Sequence, residues 1–395
     1  MRKYLSLILA LVLLTCSSCA PAPTETQPTE FETAVASTEY TQATTETVET
    51  EPPDLMELLL DSMTTEELVG QLFLARCPAG GTAVSELQAY HLGGYILFGR
   101  DFDGQTPESV SSTISAYQNA AKIPLLIAVD EEGGYVNRVS SNRAFRDSSF
   151  RSPRRLYDEG GLDLVLETEK EKCQLLTSVG VNVNMAPVCD VTTDHSAFMY
   201  SRSLGQSPQV TGEYIAAVVD VMASQAVGSV LKHFPGYGNN TDTHIGIATD
   251  RRSLESLEEV DLVPFRAGIA AGCDAILISH TIVECLDAEL PASLSPTVIG
   301  YLRQEMGFDG VVVTDDLVMQ AITDGYGAGE SAVMAVLAGN DLLCSSEYAV
   351  QYTAVLEAVE NGRIPLSQVR DSARRVLLWK QELGILTLGA GFFAR

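Results

Sequence analysis

The chain has 395 residues and a hydrophobic fraction of 46%, ample for a core larger than one small domain requires. Its formal net charge is −27, and phosphate recognition needs clustered Lys and Arg, so nucleic acid is excluded as a natural partner. The five histidines include no His-x-His pair, which argues against a barrel-type metal centre, and neither a metal nor another cofactor is expected.

Taken from its start, the chain opens with Met1-Arg2-Lys3 and the short apolar run Leu5–Leu14, a basic and apolar pair of regions too short to span a bilayer stably. Thr15-Cys16-Ser17-Ser18-Cys19-Ala20 follows, and small residues ahead of a cysteine resemble the lipobox of bacterial lipoproteins. That resemblance implies a lipidated Cys19 at the end of a leader spanning 1–19, with Cys16 as the alternative site, and an extracytoplasmic protein held to the membrane by lipid alone. An ordinary secretory signal is the competing reading. Residues 20–53 are rich in Thr, Glu and Pro and lack Lys and Arg, so they bury too little to offset their ordering entropy; a disordered tether is expected. The six later cysteines have no Cys-x-x-Cys spacing and read as small buried hydrophobes.

From residue 54 to 395 a single catalytic domain is expected. Leu55–Leu68 reads as helical, with Thr64-Thr65-Glu66-Glu67 opening its second part. Apolar runs then alternate with amphipathic stretches: Gln71–Cys77, Gly94–Gly99, Leu125–Asp130, Val181–Val188, Gly228–Phe234, Ala275–His280, Gly310–Asp315 and Asp341–Ser345. Near-continuous Val, Ile and Leu suit parallel strands buried on both faces, and eight of them predict an α/β fold of the (β/α)8 TIM-barrel type. Ser331–Ala338, Tyr348–Glu360 and Ser367–Leu383 carry helix periodicity, with a stop at Asn361-Gly362.

Polar residues gather at the C-terminal ends of these strands: Arg100-Asp101, Asp130-Glu131-Glu132, Lys232-His233, His280 and Asp315-Asp316. In a parallel barrel those ends share one face, whereas a doubly wound sheet would not place polar groups after nearly every strand. Either Asp315 or Asp316 has the chemistry of a reactive carboxylate; strand-end position favours Asp315, and capping the next helix is the competing fate. After Phe234 the chain cannot continue as a strand through Pro235-Gly236, and the Gly-rich loop that follows carries Asp242 and His244. An aspartate two residues from a histidine can fix its tautomer and leave the other ring nitrogen to move a proton.

Several stretches together resemble glycoside hydrolase family 3, in its single-barrel bacterial β-N-acetylglucosaminidase branch. They are Gly93-Gly-Tyr-Ile-Leu-Phe-Gly-Arg100, Ala128-Val-Asp-Glu-Glu-Gly-Gly-Tyr-Val-Asn-Arg138, Asn184-Met-Ala-Pro-Val-Cys-Asp190 and Ser201-Arg202-Ser203. Lys232-His-Phe-Pro-Gly-Tyr-Gly238 with Asp242-x-His244 is the most diagnostic, and Pro291-Ala-Ser-Leu-Ser295 and Gly307-Phe-Asp-Gly-Val-Val-Val-Thr-Asp-Asp-Leu317 complete the set. The resemblance implies Asp315 as nucleophile of a covalent glycosyl-enzyme and His244 as general acid/base, oriented by Asp242. It places Asp130, Arg138, Arg202, Lys232 and His233 on the hydroxyls of the terminal sugar. Three positions depart from the pattern: Tyr237 stands for a histidine, Tyr135 for an arginine and Ala248 for a proline.

The expected activity is therefore retaining, metal-independent removal of terminal N-acetylglucosamine from cell-wall or chitin-type oligosaccharides. On the same fold the alternatives are a β-glucosidase or β-xylosidase, or a phosphorylase, since a histidine acid/base does not repel phosphate. A lipid-anchored solute-binding protein is the reading without chemistry; it would need two lobes and has no use for the Asp242/His244 loop.

Overall fold

A computed structural model describes residues 54–238, 248–323, 325–389 and 392. The leader, Cys19, the 20–53 segment, Asp242 and His244 lie outside the described residues.

The eight apolar runs form the strands β1 (Phe73–Arg76), β2 (Gly94–Leu97), β3 (Leu126–Val129), β4 (Val183–Asn184), β5 (Gly228–Phe234), β6 (Ala275–Ile278), β7 (Val311–Thr314) and β8 (Leu343–Ser345). They pair in parallel in the order β8-β1-β2-β3-β4-β5-β6-β7. A parallel bridge between Val313 and Leu342, with Thr314 donating to the Leu342 carbonyl at 3.0 Å, joins the two ends of the sheet. The result is the expected barrel.

Strand alternation explains why both faces read as apolar. Leu74, Ile96, Leu126, Ala128, Leu277, Val311 and Val313 form one buried cluster inside the ring. Their neighbours Phe73, Ala75, Tyr95, Leu97, Ile127 and Val129 are buried against the surrounding helices in a second cluster. Val376 and Trp379 belong to the inner cluster although they come from the last helix, Leu366–Glu382. The Trp379 ring lies where a side chain at Gly228, the first residue of β5, would go, so it plugs the N-terminal end of the barrel. The opposite end, where the strands finish, is left to open.

Local rules set several boundaries. The Leu55–Leu68 region breaks into helices Leu55–Ser62 and Thr65–Gln71 because Thr64 and Glu67 form a reciprocal cap, at 3.3 and 3.1 Å. The late helices span Ala328–Ala338, Tyr348–Glu360 and Leu366–Glu382, close to expectation. β4 is shorter than the run Val181–Val188 suggests, because Pro187 has no N–H for the ladder. Pairing resumes beyond it, where Val188 bridges to Lys232. All six cysteines among the described residues are free thiols; Cys285 is half-buried and the others are buried.

Candidate active site

A cavity of about 590 Å³ opens at the C-terminal strand ends. Its wall includes Asp130, Arg138, Arg202, Lys232, His233 and Asp315, every sequence-expected site residue that is described. These side chains come from four separate segments of the chain, and the barrel brings them together.

At its centre is Lys232, on β5, whose ammonium lies 2.8 Å from an Asp130 oxygen and 2.6 Å from Glu132. Arg202 grips Glu132 with two bonds of 2.9 and 2.7 Å. Burial works against the charge on Lys232, but Asp130 and Glu132 outweigh it and hold the ammonium above the usual lysine value. Burial likewise opposes ionisation of Glu132, and Lys232 and Arg202 overcome it, holding its carboxyl far below the usual range. Asp130 is also held low, with Lys232 and then Arg138 outweighing its burial; the Arg138 guanidinium is 3.6 Å away. Asp130, Glu132, Lys232 and Arg202 thus carry their charges at neutral pH and hold one another before any ligand arrives.

His233 is aligned from behind. Its Nδ1 lies 2.8 Å from Asp190, while an Arg202 nitrogen donates to Nε2 at 3.1 Å. An arginine can only donate, so Nε2 carries a lone pair and the ring proton sits on Nδ1. Asp190 also accepts the backbone N–H of Tyr237 at 2.8 Å. Gly236 between them has φ +116°, and a side chain there would strike Asp261, so the turn after β5 demands glycine.

The two adjacent aspartates after β7 are now distinguishable. Asp316 is consumed by structure: it accepts the N–H of Ser346 at 3.1 Å and of Val318 at 3.3 Å, and the Ser346 hydroxyl. Among the described residues Asp315 accepts only the N–H of Asp316, at 2.9 Å, so its carboxylate keeps open valence toward the cavity. His280, at the end of β6, does not join the cavity wall. It is buried, bonding Ser293 at 2.7 Å and the Asp316 carbonyl at 3.0 Å, and so supports the backbone that presents Asp315.

The run after β3 divides the same way. Asp130 and Glu132, two apart, face the cavity, whereas buried Glu131 turns away to accept the N–H groups of Arg138 at 2.7 Å and Val139 at 2.8 Å. Sequence reasoning missed Glu132 and Asp190 as site residues; the same-face spacing of Glu132 from Asp130 was the available signal. The departures also resolve. Tyr237 is buried, edge-on to His233 with ring centres 5.2 Å apart, and Tyr135 is 85% exposed; neither lines the cavity. Ala248 is buried.

Residues 64–378 match the family model described as Glycosyl hydrolase family 3 N terminal domain. A beta-hexosaminidase of Stenotrophomonas maltophilia is 38% identical over 246 residues, 60% of this chain and 70% of the relative. The beta-hexosaminidase LpqI of Mycobacterium tuberculosis is 30% identical over 334 residues, 80% of this chain and 83% of the relative. Among solved structures, a glycoside hydrolase family 3 beta-N-acetylglucosaminidase from Paenibacillus sp. str. FPU-7 superposes with a TM-score of 0.77 at 34% identity. That match covers 84% of this chain and 65% of the Paenibacillus chain. With a family model spanning most of its length and the strand-end site on the expected barrel, the chain belongs to glycosyl hydrolase family 3.

Proposed function

We propose that the chain is a retaining exo-β-N-acetylglucosaminidase that removes terminal β-linked N-acetylglucosamine from cell-wall or chitin-type oligosaccharides. The broader class, a glycosidase of the β-N-acetylhexosaminidase type, follows from the family and from relatives bearing that name at 30 to 38% identity. The carrying observation is the contrast within one cavity between Asp315, which has open valence, and the wall of Asp130, Glu132, Lys232 and Arg202, which is held together by its own ion pairs.

In this reading Asp315 attacks the anomeric carbon and forms a glycosyl ester. His244, oriented by Asp242, protonates the departing oxygen, then takes a proton from the water that opens the ester. Asp130, Arg138, Arg202, Lys232 and His233 hold the sugar hydroxyls, with their charges already balanced, so binding need not create or bury a lone charge. The protein would work outside the cytoplasm, tethered by lipid on Cys19; mass spectrometry of the mature N-terminus tests this, and an unmodified residue beyond Cys19 overturns it.

The activity is tested with a panel of aryl glycosides, run with and without phosphate. Asp315→Asn should abolish turnover of an aryl N-acetylglucosaminide, and near wild-type turnover would sink the nucleophile assignment. His244→Ala should slow poor leaving groups roughly 10²–10⁴-fold and activated ones far less. Equal losses on both would remove the acid role.

A further inference from the structure

The cavity contains a cation that the sugar-holding wall does not use. Arg76, the last residue of β1, lines it together with Asp315, yet among the described residues its side chain makes no hydrogen bond and no ion pair. Its Nε is buried without a partner, and its guanidinium lies over the Phe98 ring at 4.6 Å from the centroid. Arg138 approaches the same ring at 5.5 Å, and its Nε is likewise buried and unpartnered.

The nearby carboxylates are already engaged. Asp101 accepts the Phe98 N–H at 2.8 Å and lies 3.7 Å from Arg100, Asp316 is held by Ser346, and Asp130 is shared between Lys232 and Arg138. In the strand order, β1 lies four places from β5, so Arg76 and the Lys232/His233 pair come from opposite sides of the barrel. A half-buried guanidinium that no carboxylate pairs directly is costly, Asp101 acting on it only at a distance, and its planar fork fits a two-oxygen anion. Its place over Phe98 holds the guanidinium by a cation–π contact but leaves the buried Nε without an acceptor.

We propose that Arg76 forms an anion subsite in this cavity, which takes a carboxylate or phosphate group presented with the substrate or free in solution. The proposal rests on the reading of the cavity as the glycan site. Two aryl N-acetylglucosaminides with equally acidic leaving groups, one neutral and one carrying a carboxylate, are compared in the wild type, R76Q and R76K. If the anion is borne by substrate, the ratio of kcat/KM for the charged over the neutral compound falls about tenfold in R76Q and less in R76K. If it is free, inorganic phosphate perturbs wild-type turnover of the neutral compound, and the concentration needed rises about tenfold in R76Q. Should neither quantity move, Arg76 is only a cover for Phe98 and the proposal is overturned. Should the wild type cleave neither compound, the functional reading fails instead. The subsite then stands or falls on whether phosphate raises the melting temperature of the wild type and not of R76Q.

Discussion

Lys232 and Lys380 are both buried, and the protein treats them in opposite ways. Lys232, at the mouth, is met by two carboxylates and keeps its proton above the usual lysine value. Lys380, in the last helix, has a single hydrogen-bond partner among the described residues, the Gln71 amide oxygen at 2.7 Å, and burial pushes its pKa down to about 7. The same side chain is a permanent charge in one place and a titrating group in the other. The difference lies in the counter-charges, which are concentrated where the site needs a fixed electrostatic wall.

Removing the cation from the wall should have the largest effect. Lys232→Met leaves Asp130 and Glu132 buried against each other, so stability should fall by about 3–5 kcal/mol in denaturant titrations. Turnover of an aryl N-acetylglucosaminide should fall by roughly 100-fold or more, because the wall loses its geometry. The stability loss should shrink below about pH 5, as the stranded carboxylates take up protons. An unchanged midpoint would mean that the two carboxylates do not depend on Lys232.

A milder break keeps the charge and removes the fork. Arg202→Lys cannot hold Glu132 with two bonds and also donate to His233 Nε2. KM should rise roughly tenfold with a smaller change in stability, since a lysine supplies the charge without the planar geometry. Equal KM values would assign Arg202 to charge balance alone.

The smallest effect, and the only gain, is expected at the other lysine. Between pH 7 and the ordinary lysine value of 10.5, unfolded Lys380 holds a proton that the folded chain has released. Stability therefore rises with pH through that window and is lowest at and below its acid end. Lys380→Met should raise the unfolding free energy most at pH 7 and below, by an amount on the order of 1 kcal/mol read from denaturant titrations, and least near pH 10. A gain that does not vary with pH would show that packing, not ionisation, separates the two side chains.

The sequence by itself determined the scaffold. Runs such as Val311–Val313 and Ala275–Ile278 are apolar at every position because both faces of each strand are covered, which signals parallel strands, and the polar residues at their ends signal a barrel. It also placed Asp130, Lys232, His233 and Asp315 at strand ends, which a barrel must bring to one face. What it left open was the work of each polar residue in a pair or triplet. Asp315 and Asp316 are the same side chain on consecutive positions, and only the Ser346 contacts, thirty residues away, consume one and free the other. Glu131 and Glu132 divide in the same way, through partners at Arg138–Ser140 and Arg202. That no carboxylate among the described residues pairs directly with Arg76 is likewise invisible in the sequence, because it is a property of everything folded around a residue and not of the residue itself.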